Sequence, residues 1–158
     1  MDLAARVIAA GIAGERMLVT AESCTGGMVT AALTDIAGAS AVVDRGFVTY
    51  SNEAKSACLG VSGETLMAHG AVSSETAAEM AVGALAEAAQ SHVAVAITGI
   101  AGPGGGSAEK PVGLVWFGLA LRGGNVTTHR HVFDGDRNAV RVAAADTALA
   151  LLLQGIKT

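Results

Sequence analysis

The apolar positions of the chain follow two periods, and the switches between them outline the elements. Leu3, Val7, Ile8 and Ile12 recur at helical spacing over residues 2–13, and the pattern stops at Gly14, a residue that readily ends a helix. Met17 to Thr20 is a short apolar run and predicts a buried strand. Gly26 to Ile36 returns to helical spacing, with Met28, Val29, Ala32, Leu33 and Ile36 on the inner side. Val42 to Tyr50 is rich in β-branched and aromatic residues and predicts a second strand. Asn52–Leu59 and Ser62–His69 predict two short helices, each entered through a capping residue.

A long Ala-rich helix is predicted from Ser74 to about Gln90, and a central strand from His92 to Thr98. Residues 99–106, Gly-Ile-Ala-Gly-Pro-Gly-Gly-Gly, predict a loop. Val112–Arg122 and Val126–Phe133 predict a hairpin around Gly123-Gly124-Asn125, and a last helix opens near Asp136 and runs to about Gln154. Helices alternate with strands first and the hairpin comes late. The expectation is one α/β domain over residues 1–158, a three-layer α/β/α arrangement with a mixed sheet and helices on both faces.

Composition adds constraints rather than a different picture. A chain of 158 residues buries roughly 70% of its unfolded surface, so its core needs no covalent staple. Only 3% of the residues are aromatic and 21 are glycine, so the core is built from small aliphatic side chains. Charged residues make up 15%, which suggests a surface partly covered by other subunits and an expected homo-oligomer. The net charge of −4 argues against a nucleic-acid partner. No apolar run reaches about 18 residues, so no membrane span is expected. Cys24 and Cys58 lack metal-ligand spacing and read as reduced thiols of a cytoplasmic protein.

Candidate chemistry sits at the predicted strand ends. Ser23, in Ala21-Glu22-Ser23-Cys24-Thr25-Gly26-Gly27, lies where a strand gives way to a helix, the edge at which open α/β sheets bind ligands. Free N–H groups of residues 24–27 at the helix start would favour an oxyanion or phosphate there. Two readings of Ser23 stand side by side: an ordinary helix N-cap, which is commoner, and a nucleophile. Lys55 follows the strand ending at Tyr50 and reaches the same edge if the strands are parallel; desolvated, it would act as a base, and otherwise it is a surface lysine. Glu22 either orients Lys55 or serves as a structural carboxylate. The four histidines suggest neither a triad nor a metal site, and His129 and His131 read as solvated strand residues.

The glycine-rich loop after Thr98 is neither a Walker loop nor a dinucleotide fingerprint, because a strand follows it instead of a helix. Its amides can cup a phosphate or a sugar, or it can be a flexible crossing. Arg137, at the start of the last helix, is either a phosphate clamp or an exposed arginine. Together these segments point to a small-ligand site, anionic in preference, with Ser–Lys chemistry available.

The same residues resemble the CinA C-terminal domain family. The matching segments are Ala21–Gly27, Gly46–Gly60 with its Tyr-Ser-Asn-Glu-Ala-Lys, Gly70–Ser73, Thr98–Gly106 with Glu109–Gly113, and Gly135-Asp136-Arg137 with Val140-Arg141. The resemblance implies a stand-alone nicotinamide-nucleotide amidohydrolase that converts nicotinamide mononucleotide to nicotinic acid mononucleotide and ammonia, with no cofactor and no metal. It implies Ser23 as nucleophile, Lys55 as its base and Tyr50 as an assisting residue. Thr25, Gly26, Gly27, Thr98, Gly99, Gly104, Gly105 and Arg137 would then bind the substrate, Arg137 near its phosphate. An amidase acting on another phosphorylated amide, or a nucleotide-binding regulatory module without catalysis, remains as an alternative.

Overall fold

The computed structural model describes residues 2–158. Its elements, in chain order, are α1 (Leu3–Gly14), β1 (Leu18–Glu22), α2 (Met28–Thr34), β2 (Val43–Val48), α3 (Asn52–Leu59), α4 (Gly63–His69), α5 (Ser74–Glu87), β3 (Val93–Gly99), β4 (Leu114–Leu121), β5 (Val126–Val132) and α6 (Arg137–Ile156). A single 3₁₀ turn at Ala39–Ala41, absent from the sequence-based expectation, leads into β2. Every other expected element is present, and the α/β class with its mixed sheet is borne out.

The strands form one sheet in the order β2-β1-β3-β4-β5. β1 pairs in parallel with both β2 and β3, whereas β3–β4 and β4–β5 are antiparallel. Glu22 lies level with Val48 on one side and Ile97 on the other. The C-terminal ends of β1, β2 and β3 therefore share one edge, which brings Ser23, Thr49 and Thr98 to the same level. That parallel pairing is the condition the sequence left open.

Alternation along the strands splits the core into two layers. Val93, Val95, Ile97, Val115, Phe117 and Leu119 face α1, α2 and α6. Val19, Ala21, Ala94, Ala96 and Ala120 face α5 and the end of α3. Alanines dominate the second layer, so α5 sits close to the sheet. Gly83 in the middle of α5 serves that packing: a Cβ there would collide with the Leu59 carbonyl, which ends the helix carrying Lys55. α6 is 20 residues long and apolar because its inner side is core, packed on α1 and β3.

Of the boundaries that differ from expectation, two do so for identifiable reasons. α2 begins at Met28 instead of Gly26, because Gly26 (φ 59°) and Gly27 (φ 103°) take left-handed backbone and form a turn. α5 ends at Glu87 instead of near Gln90, where the Arg122 guanidinium donates to the carbonyls of Leu85 and Ala88.

Candidate active site

The turn after β1 is built around Glu22. This carboxylate is fully buried and accepts hydrogen bonds from the N–H groups of Gly27, Val29 and Thr30 at 3.2, 3.0 and 3.0 Å. It also accepts from the Thr30 hydroxyl at 2.8 Å, which in turn meets the Thr20 hydroxyl at 2.6 Å. The first N–H groups of a helix lack intrahelical partners, and here the preceding strand supplies their acceptor. Glu22 is thus a structural carboxylate. It also removes the N-cap reading of Ser23: the N-cap position of α2 is Gly27, and no side chain of residues 23–25 caps the helix.

The picture of a row of free amides from Cys24 to Gly27 is corrected in the same way. Gly26 N–H donates to the Ser23 carbonyl at 3.0 Å, and Gly27 N–H is held by Glu22. Ser23 N–H is tied to the Ile97 carbonyl at 2.9 Å, which anchors the turn to β3.

Lys55 extends from α3 under this turn. Its Nζ lies 3.0 Å from Ser23 Oγ, 2.9 Å from the Thr49 carbonyl and 3.3 Å from the Tyr50 carbonyl. The side chain is 1% exposed, the largest of the fully buried side chains, so the surface-lysine reading falls away. Among the described residues no carboxylate forms an ion pair with it. Burial lowers the Lys55 pKa from its ordinary value, and nearby Cys24 opposes this only in second place. The Cys24 thiol is itself pushed up to about 11 by burial, so it is neutral at ordinary pH.

The geometry around Lys55 defines its hydrogen bonding when neutral. A neutral amine has two N–H donors and one lone pair. The two carbonyls can only accept, so they take both N–H groups, and the lone pair is left facing the Ser23 hydroxyl.

Above the pair lies a cleft of about 290 Å³. Ser23, Cys24 and Lys55 form its floor; Ala71, Val72 and Thr98 form one wall; Gly99–Gly102, Gly104 and Gly105 curve around it; Tyr50 and Arg137 stand at its rim. The Thr98 hydroxyl donates to the Ala71 carbonyl at 2.8 Å, which fixes the 70–73 segment against the strand end. Arg137 donates to the Gly102 carbonyl at 2.7 Å and to the Tyr50 hydroxyl at 3.1 Å, and so ties the glycine loop to the end of β2. A second depression of about 480 Å³ adjoins the first and shares Ala101 and Arg137 with it.

Ser23, Lys55, Tyr50, Thr98, Gly99, Gly104, Gly105 and Arg137 are thus brought together as the sequence suggested. Thr25, Gly26 and Gly27 are not among the cleft-lining residues: Thr25 is fully buried, and Gly26 is exposed outside the cleft. The Tyr50 ring is 63% exposed, and only its backbone carbonyl meets Lys55. The histidines have other roles. His92 Nδ1 accepts from Met17 N–H at 3.0 Å; His131 stacks on Phe133 beside Phe117 and is exposed, as expected, while His129 is half-buried. Sequence reasoning missed the Thr49 carbonyl, which carries no side-chain signature. It also gave no role to Arg141, whose guanidinium reaches the Cys24 and Thr25 carbonyls at 3.0 and 3.3 Å.

The relatives agree with this arrangement of elements. The sequence profile of the CinA C-terminal domain matches residues 1–156. The nicotinamide-nucleotide amidohydrolase PncC of Escherichia coli (strain K12) is 58% identical over 137 residues, covering 87% of this chain and 82% of that protein. The crystal structure of the competence/damage inducible protein CihA from Agrobacterium tumefaciens superposes with a TM-score of 0.93 at 55% identity, over 96% of this chain and 92% of that one. A CinA superfamily protein from Klebsiella pneumoniae superposes with a TM-score of 0.92 at 45% identity, over 98% and 95% of the two chains. The chain belongs to the CinA C-terminal domain family.

Proposed function

We propose that this protein is a nicotinamide-nucleotide amidohydrolase that deamidates nicotinamide mononucleotide, with Ser23 as nucleophile and Lys55 as base. The observation that carries the chemistry is the 3.0 Å approach of an unpaired, buried lysine to the hydroxyl of Ser23. The substrate is suggested by the similarity to PncC.

An aromatic carboxamide is a poor electrophile, so the hydroxyl must lose its proton as it attacks. Neutral Lys55 takes that proton while Ser23 Oγ bonds to the amide carbon and the carbonyl π electrons move to oxygen. Collapse of the tetrahedral intermediate expels the amide nitrogen, which leaves as ammonia with the proton from Lys55. The acyl-serine is then attacked by water, with Lys55 again taking a proton and returning it to Ser23. The sum is amide plus water giving carboxylic acid plus ammonia.

Thr98 donates its hydroxyl hydrogen to Ala71, so its oxygen is left to accept a hydrogen bond from the carboxamide NH₂. The glycine loop lets the ribose approach backbone amides. Arg137, released from Tyr50, supplies a cation for the phosphate. Incubation of the purified protein with nicotinamide mononucleotide tests this reading. Equal amounts of ammonia and nicotinic acid mononucleotide are expected. Binding without ammonia release would favour the regulatory-module alternative.

A further inference from the structure

We propose that the open edge of β5 docks a second copy of this chain. The two β5 strands pair antiparallel across a two-fold axis at His129, so that two five-stranded sheets become one continuous sheet.

The two edges of the sheet are built differently. On β2 the register shifts between Leu18 and Val19, which leaves Asp44 as an extra, bulged residue. Asp44 and its neighbour Arg45 also place two charges on that edge. Bulges and charges are the devices that keep an edge strand from pairing. On β5 the register runs unbroken from Val126 to Val132, and Arg130 is its one charged residue. All of its residues except His129 are exposed, so the strand is bare on both faces.

The backbone of β5 is half used. The ladder with β4 is bonded at its two ends through Asn125, whose carbonyl accepts from Leu121, and Phe133, whose N–H donates to Gly113. Hydrogen-bonded pairs recur at every second residue of an antiparallel ladder. Thr127, His129 and His131 therefore bond to β4, while Val126, Thr128, Arg130 and Val132 present their N–H and C=O groups to the open edge. An edge of this kind is a template for another strand.

The side chains select a copy of the same strand and one register. Only residues with outward groups can bond across the edge, so even-numbered positions must pair with even-numbered ones. With the axis at His129, Val126 meets the partner's Val132 and Thr128 meets the partner's Arg130. Val126 and Val132 are the two exposed large apolar residues of the strand, 40% and 45% accessible, and this register covers both. Moving the axis to Arg130 sets like charges directly opposite, which is destabilising. Moving it to Thr128 sets Val126 against the partner's Arg130 and leaves Val132 bare.

A seven-residue ladder alone covers less than the ~800 Å² per partner of a stable interface. Depressions flank the strand on both faces and extend the contact. One of about 310 Å³ lies between Val126 and the Val82–Ala86 flank of α5. The other, of about 450 Å³, lies between His131 and the Ala150–Gln154 flank of α6. A two-fold operation applied to such a surface gives a closed, isologous dimer.

Light scattering coupled to size exclusion, run over a dilution series, tests the surface. The wild type is expected at a mass near twice 15.6 kDa. Thr128→Pro removes an outward N–H and leaves the β4 ladder whole, so it should raise the dimer dissociation constant at least about 100-fold. Val132→Lys, which puts a charge on the edge without touching the backbone, should act in the same direction. Neither residue lines the cleft, and turnover per chain should stay within about twofold of wild type. A monomeric wild type, or a dimer that both variants leave intact, would overturn the proposal.

The register has its own test, made in a Cys58→Ser chain to remove the exposed native thiol. At the axis His129 faces its own copy in a non-hydrogen-bonded pair, with Cα atoms about 4.5 Å apart, inside the ~4.4–6.8 Å that a disulfide spans. His129→Cys should therefore form a covalent dimer on mild oxidation. Thr128→Cys should not, because the two copies of residue 128 are offset along the strands. Cross-linking through position 128 in preference to 129 would overturn the register.

Discussion

Lys55 Nζ lies 3.0 Å from Ser23 Oγ, in a pocket where its other two neighbours, the carbonyls of Thr49 and Tyr50, can only accept. The buried amine is therefore shared between two backbone oxygens and one hydroxyl, and among the described residues no carboxylate forms an ion pair with it.

That environment has a pH signature. Burial lowers the Lys55 pKa below its ordinary 10.5. The proposed reaction needs the neutral amine, so kcat/KM should rise with pH through the lowered pKa and level off above it. Stability moves in the same direction. Between the lowered pKa and 10.5 the unfolded chain binds a proton that the folded chain does not, so stability rises with pH across that window. Below the window both states are protonated and the burial cost is present in full. Denaturant unfolding of wild type and Lys55→Met as a function of pH should show wild type gaining on the variant as pH rises. A difference that is flat with pH would contradict the desolvated lysine.

Glu22→Gln tests the acceptor of the turn. The carboxylate takes three backbone N–H groups and one hydroxyl, and an amide presents an NH₂ toward donors that need an acceptor. The expected loss is ~2–4 kcal/mol, or roughly 5–15 °C in Tm for a domain of this size. Calorimetry or thermal circular dichroism measures it.

Arg137 and Tyr50 separate binding from chemistry. Arg137→Ala should raise KM for the mononucleotide about tenfold, as expected for one charge-assisted contact, while leaving kcat within about threefold. Tyr50→Phe removes only the hydroxyl on Arg137 and keeps the carbonyl on Lys55, so kcat should stay within about twofold. A kcat loss of about 100-fold in Tyr50→Phe would show that the phenol takes part in proton transfer.

Gly83→Ala probes how the helix packing sets the base. The added methyl would strike the Leu59 carbonyl at the end of α3, so α3 must move and carry Lys55 with it. A misplacement of about 1 Å can cost about 100-fold in rate. Activity should therefore fall by more than the change in Tm explains.

Much of this site was legible in the sequence because its side chains announce themselves. Ser23 and Thr98 stand at the ends of the apolar strands β1 and β3, Lys55 lies on the helix that follows β2, and parallel pairing brings the three strand ends together. Other features were not legible because backbone atoms perform them: the Thr49 carbonyl leaves no mark on residue type, and the tie between Ser23 N–H and Ile97 is set by strand register. The glycine pair Gly26-Gly27 looked like a helix start lining the site. Positive φ makes it a turn after Ser23, with its amides spent inside the turn. Arg141 lies 117 residues from Cys24, so its contact arises only once α6 packs beside the turn.

Acid quench of the protein during turnover of nicotinamide mononucleotide, followed by peptide mass spectrometry, tests Ser23 as nucleophile most directly. The prediction is an acyl adduct on the peptide containing Ser23, absent from Ser23→Ala, which should release ammonia at least about 1,000-fold more slowly than wild type. Ammonia release by Ser23→Ala at a near wild-type rate would contradict it.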